Sequence, residues 1–139
     1  MTTVNPTPAA AKIPAPEVTD LTRPYREALG NGKLMFQRCE CGHAFLPARH
    51  ECPACLSAAL TWQEASGRGT LVSWVVYHIA YNEAFKDRLP YNVAVVELEE
   101  GPRMITNMVG AHESLSCDAA VRLAIETVDG VALARFARA

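Results

Sequence analysis

RCECGHAFLPARHECPACLS, Arg38 to Ser57, carries four of the chain's five cysteines in the pattern C-x-C, ten residues, C-x-x-C. Zinc in a structural site takes four thiolate or imidazole ligands in a tetrahedron, and two short cysteine pairs on tight turns deliver them from two directions. Cys52-Pro53-Ala54-Cys55 fits such a knuckle, with backbone amides free to point at the sulfurs. Cys39-Glu40-Cys41 has a single residue between its sulfurs, one fewer than a zinc ribbon usually shows, and Gly42 stands where the tight turn needs relief. The segment therefore reads as a structural zinc site on Cys39, Cys41, Cys52 and Cys55. The short first pair leaves a second arrangement open, in which His43 or His50 replaces one thiolate. A thioredoxin-like redox centre needs a C-x-x-C opening a helix beside a βαβ unit, and neither is signalled. A catalytic zinc keeps an open position, which four protein ligands do not leave.

Bulk properties agree with a metal rather than disulfides. The 139 residues are half apolar and one fifth charged, with a formal net charge of −2. The first residues, MTTVNPTPAAAKIPAPEV, lack the basic and apolar regions of a secretory signal. A cytoplasmic location is expected, where thiols stay reduced and clustered cysteines lean towards metal. No apolar run approaches the roughly 18 residues that span a bilayer, so no membrane partner is expected. From Arg68 onward the chain has seven Lys/Arg against nine Asp/Glu. That balance opposes a single-strand nucleic-acid groove, the other common use of ribbons and small barrels, because such a groove needs a basic track.

Outward from the cysteines, the chain divides into a flexible Pro/Ala-rich arm (1–20), a helical lead-in (21–36), the zinc ribbon (37–62) and a β-rich remainder (63–139). In the lead-in, Thr22 is placed to cap a short helix, Pro24 suits its first turn and Gly30 is placed to stop it. After SGRG, Thr70–Ile79 is rich in β-branched and aromatic residues, Tyr91–Leu98 reads as a second strand and 103–110, after the EEGP turn, as a third. Ala119–Val128 alternates, with Val121, Leu123 and Ile125 on one face. Asp129-Gly130 is a tight-turn signal joining it to VALARFAR. Five strands with one longer excursion after the first predict a small Greek-key barrel of the OB type.

These residues together resemble the zinc-ribbon/OB-fold family of acyl-CoA-associated proteins. The resemblance runs from about Leu21 to Phe136. It rests on TRPYREAL, LMFQRCECGHAFLPARHECPAC, the SGRG junction and the hairpin P-Y-x-V-A-x-V-E-L-x-E-G-P-R taken together. It implies a mainly β fold: an N-terminal helix and a rubredoxin-like zinc ribbon, followed by a five-stranded OB-fold barrel. It also implies a small non-catalytic subunit in a hetero-oligomer with a thiolase-fold catalytic subunit, of the kind found in thiolases of aromatic degradation. Acyl-CoA hydratase and aldolase assemblies are the alternative, and acyl-CoA is the implied ligand beside structural Zn2+. The family more usually has C-x-x-C at the first pair, which bears on the coordination and not on the ribbon.

Other residues carry weaker signals. Arg68 lies between two glycines at the ribbon–barrel junction, where a guanidinium could engage a phosphate or a partner carboxylate. Phe85, Arg88 and Tyr91, with Tyr81 and Lys86, surround the excursion after the first barrel strand, and aromatic and arginine side chains of this kind favour interfaces. These four, Arg68, Phe85, Arg88 and Tyr91, are the expected acyl-CoA or partner contacts. Met35, Phe36, Phe45 and Leu46 are expected to leave apolar surface on a ribbon too small to bury them. Cys117 reads as an ordinary free thiol, with His112 its only neighbouring base, and His78 as packed or hydrogen-bonded. No triad, phosphate loop or open metal site is visible.

Overall fold

The computed structural model describes residues 13–139; the part of the expected arm in residues 1–12 lies outside the described residues. Helix α1 spans Arg23–Gly30, with Pro24 in the first turn, where its missing N–H has no intrahelical partner to lose. Thr22 holds the N-cap position but does not cap the helix with its side chain. Its hydroxyl instead accepts from the Thr19 N–H at 2.9 Å and donates to the Glu17 carbonyl at 3.3 Å. The helix stops through Gly32 rather than Gly30. Gly32 takes φ +80°, and the amides of Gly32 and Lys33 reach back to the carbonyls of Leu29 (3.1 Å) and Ala28 (2.8 Å). Only glycine enters that left-handed position without steric cost.

The ribbon is a small antiparallel sheet in the order β2-β1-β3, formed by β1 (Met35–Cys39), β2 (Ala44–Phe45) and β3 (Leu60–Glu64). Its own buried cluster is only Cys39, Phe45 and Cys52, with Leu60 against it. Leu34 and Phe36 point the other way and join the core of the barrel. The ribbon is thus packed on the barrel and does not protrude from it. Phe36 and Phe45 are buried and Met35 and Leu46 half-buried, which corrects the expected apolar ribbon surface.

The barrel begins with the long strand β4 (Arg68–Tyr77), bulged between Leu71 and Ser73, and continues through β5 (Tyr91–Leu98) and β6 (Arg103–Thr106). β5 alternates perfectly between half-buried and buried residues, with Asn92, Ala94, Val96 and Leu98 facing the core. A hairpin with Gly101 at φ +113° joins β5 to β6. The expected single strand Ala119–Val128 divides into β7 (Ala120–Leu123) and β8 (Glu126–Val128). Val131–Arg138 divides likewise into β9 (Val131–Leu133) and β10 (Phe136–Arg138). The two breaks face one another, joined by the Ala124 N–H and the Arg135 carbonyl at 2.6 Å. β7 and β10 stay in the barrel sheet, while β8 and β9 form a separate hairpin turned by Asp129-Gly130. A strand alternates in sequence whether or not it bends, so alternation alone does not reveal where it leaves one sheet for another.

The barrel sheet has the order β10-β7-β4-β5-β6. It closes beyond β6, where Met108 bridges Phe136 in parallel, the Phe136 N–H donates to the Asn107 carbonyl and the Val109 N–H to the Phe136 carbonyl. This is the five-stranded OB arrangement. Its core holds Leu71, Ala94, Val96, Leu98, Met108, Val121 and Phe136, continuous with Leu29 of α1 and with Leu34 and Phe36 of the ribbon.

Candidate functional site

Two turns place the four sulfurs. β1 ends at Cys39, whose N–H donates to the His43 carbonyl at 2.9 Å, and the Gly42 N–H returns to the Cys39 carbonyl at 2.9 Å with Gly42 at φ +94°. The left-handed Gly42 closes the loop in the space of a single intervening residue, which lets a C-x-C pair do the work of a longer spacing. In the second turn the Cys52 N–H donates to the Ser57 carbonyl, and the Ala54 N–H lies 3.4 Å from Cys52 Sγ.

Cys39 Sγ and Cys55 Sγ are 3.4 Å apart and Cys41 Sγ and Cys52 Sγ 3.8 Å, and all four sulfurs lie within 4.8 Å of one another. A tetrahedral zinc with sulfurs at about 2.3 Å separates each pair by about 3.8 Å, so the donor set fits the ion in number, chemistry and spacing. No histidine nitrogen joins this group among the described residues. The exposed His43 ring is instead stacked on Phe45, with centroids 5.7 Å apart.

The electrostatics of the set suit a cation, which would favour the ionised form of all four sulfurs. Burial opposes ionisation of Cys52, but amides from Cys55 and Ala54 and the neighbouring thiols lower it to about 7. At Cys55 the Ser57 amide favours the thiolate, yet the adjoining sulfurs, Cys39 first, push it up to about 12. Four thiolates this close repel one another, and a divalent ion offsets that repulsion. Bound there, zinc supplies no chemistry beyond holding the two turns together, since the four sulfurs would saturate it.

At the far end of the barrel, Phe85, Arg88 and Tyr91 come together in a cleft of about 360 Å³ that also holds Asn107, His112 and Arg135. Tyr91 stacks on Tyr77 (5.3 Å between centroids) and meets Phe85 at 5.2 Å. The floor is braced by Asn92. Its amide donates to the Met108 carbonyl at 2.8 Å and its carbonyl accepts the Met108 N–H at 2.6 Å. His112 Nε2 lies 3.3 Å from the Pro90 carbonyl and Nδ1 3.3 Å from the Asn92 amide, a pair of contacts that fits the tautomer protonated on Nε2. His112 is thereby committed to the cleft, and Cys117 is an exposed free thiol. Asn92 escaped the sequence reading, although a polar residue in the inward phase of an alternating strand was the available signal. Arg135, paired with Glu126 at 2.6 Å, gave none.

Arg68 is not part of this cleft. It opens β4 and Tyr77 closes it, a separation of about 30 Å at strand rise. Its guanidinium lies 3.1 Å from Glu99, and the Ser66 hydroxyl and Arg68 together hold the Glu99 carboxyl below its usual value. The flanking glycines answer to internal contacts: a Cβ on Gly69 would lie 2.6 Å from the Glu97 carbonyl, and one on Gly67 3.2 Å from Leu123. His78, just past β4, is exposed.

A four-sulfur ribbon packed through one core onto a closed OB barrel defines the class: a zinc-ribbon/OB-fold protein. Two family models match it in succession, "ChsH2, rubredoxin-like zinc ribbon domain" over residues 26–61 and "ChsH2, C-terminal OB-fold domain" over residues 62–126. The chain belongs to this family, called DUF35 in several relatives. It is 37% identical over 94 residues to a DUF35 domain-containing scaffold protein of Methanothermobacter thermautotrophicus, covering 66% of this chain and 70% of the relative. It is 38% identical over 98 residues to a probable enoyl-CoA hydratase alpha subunit of Thermomonospora curvata, of whose length it spans only 30%. Against the benzoylsuccinyl-CoA thiolase subunit BbsA of Thauera aromatica it is 29% identical over 129 residues, covering 87% of this chain and 88% of that one. Among solved structures, a chain of the Ltp2-ChsH2(DUF35) aldolase superposes with TM-score 0.79 at 33% identity, covering 89% of this chain and 98% of that one. No helix among the described residues is long and apolar enough to cross a membrane.

Proposed function

We propose that this chain is a non-catalytic accessory subunit that docks on the catalytic subunit of an acyl-CoA enzyme and supports carbon–carbon bond formation or cleavage there. The observation that carries the proposal is the near full-length likeness to proteins named as parts of such enzymes, the aldolase chain and the thiolase subunit. In this reading Cys39, Cys41, Cys52 and Cys55 hold a structural Zn2+ that fixes the ribbon on the barrel. The cleft of Phe85, Arg88 and Tyr91 receives part of an acyl-CoA, its aromatic rings offering a stacking face and its arginine a partner for phosphate. Arg68, at the opposite end of β4, is a contact for the partner protein.

The specific reading we favour is the small subunit of a thiolase of the benzoylsuccinyl-CoA type, with a thiolase-fold partner. The greater identity to the aldolase chain favours a second: a subunit of an acyl-CoA aldolase or hydratase complex. Co-expression with thiolase-type and aldolase-type subunits from the same genome, and purification through a tag on this chain, separates them. The expected result is co-elution with one subunit and a CoA-dependent condensing or cleaving activity that neither chain shows alone. Full activity of the catalytic subunit alone would overturn the proposal, as would failure to join any such subunit.

A further inference from the structure

The barrel has an unsatisfied edge beside an apolar groove. In the β5–β6 hairpin the Leu98 N–H donates to the Pro102 carbonyl, which sets the phase of the ladder. Counting on by the observed register, Val96 faces Met104 and Ala94 faces Thr106 as hydrogen-bonded pairs. Arg103 and Ile105 are the alternate residues, so their N–H and C=O groups point away from β5. Further along, Asn107 has the same phase and its carbonyl accepts the Phe136 N–H, which closes the barrel. At Arg103 and Ile105 no such partner is present among the described residues. The bare edge opens on a groove of about 460 Å³ between α1 and the loop after β2, walled by Tyr25, Arg26, Leu46 and Met104. Ile105 is 75% exposed at its mouth.

The groove is also one-signed. Its two charged lining residues are Arg26 and Arg103. Arg103 is paired with Glu97. Arg26 takes part in no ion pair among the described residues, and its Nε is buried without a hydrogen-bond partner. A guanidinium that lines an apolar groove without an ion-pair partner favours an incoming carboxylate.

We propose that this groove is the docking site for an extended segment of the catalytic subunit, which adds a strand to the free edge of β6 and brings an acidic side chain to Arg26. Main-chain bonds to Arg103 and Ile105 fix the segment, and its apolar side chains fill the space against Leu46 and Met104. The inference rests on the reading that the chain serves such a subunit. It names a surface separate from the Phe85–Arg88–Tyr91 cleft.

The test uses the full-length chain, alone and in complex with the catalytic subunit that co-purifies with it. Amide hydrogen exchange at Arg103 and Ile105 slows by about tenfold or more in the complex. Ile105→Pro removes the outward N–H without touching the β5 ladder and weakens association by about tenfold, while Ile105→Val keeps it near wild type. Arg26→Glu weakens association comparably and serves as an independent variant should the proline disturb folding; zinc content and melting temperature report the fold of each. If a complex forms yet both amides exchange as in the free chain, or Arg26→Glu binds as tightly as wild type, the groove is not the docking site and the accessory role stands. A chain that joins no acyl-CoA catalytic subunit overturns both.

Discussion

Cys41 carries the most information per residue in this chain. Its spacing from Cys39 departs from the usual ribbon, and the sequence alone left a histidine as a substitute ligand. Gly42 favours the four-cysteine set: in the left-handed region it folds the chain tightly enough to bring Cys41 Sγ within 4.8 Å of the other three sulfurs, while His43 contributes its backbone carbonyl and not its ring. Cys39→Ser and Cys52→Ser should therefore lower the bound zinc well below one ion per chain, measured by metal analysis after gel filtration. His43→Ala and His50→Ala should leave it unchanged. Glu99 supplies a pH-dependent counterpart. Because Ser66 and Arg68 depress its folded-state pKa below 4.5, its contribution to stability is present above the unfolded-state pKa and lost as pH falls through the depressed one. Glu99→Gln should lower the melting temperature slightly near neutral pH, since the pair is exposed. The gap from wild type should close in acid, followed by thermal melts across the carboxylate range.

Strands and turns were legible to different degrees. β5 was legible over its observed bounds, Tyr91–Leu98, and the Asp129-Gly130 turn through its dipeptide, because both signals are local. The division of 119–128 and 131–138 into four short strands was not legible. It follows from the need of β7 to pair with β4 and β10 at once, whereas β8 and β9 pair only with each other. The Gly67–Gly69 pair is the opposite case, a legible motif whose purpose the sequence did not show. With 2.6 Å between a Cβ at position 69 and the Glu97 carbonyl, Gly69→Ala must push β4 and β5 apart. A loss of about 1–3 kcal/mol is expected, read from the urea midpoint.

Across the whole molecule, ribbon and barrel share one core, so metal and barrel stability are coupled. The ribbon's own buried cluster is too small to hold it folded, while Leu34, just ahead of β1, and Phe36, within it, are buried among barrel side chains. Removing zinc with a chelator should unfold the ribbon and also lower the melting temperature of the barrel, both changes followed by circular dichroism with zinc added back as control. Phe36→Ala should cost about 3–5 kcal/mol in urea unfolding of the whole chain, although it lies in the ribbon. Residue spacing and composition marked the candidate metal site, the β class and the order of the main strands, since each is set by neighbours a few positions apart. The tertiary structure alone decided that Arg68 stands far from Phe85, Arg88 and Tyr91, that the ribbon's aromatics turn inward, and that β6 keeps a bare edge beside Arg26. Those facts depend on which distant segments meet, and pairing across a closed barrel leaves no mark in the local pattern.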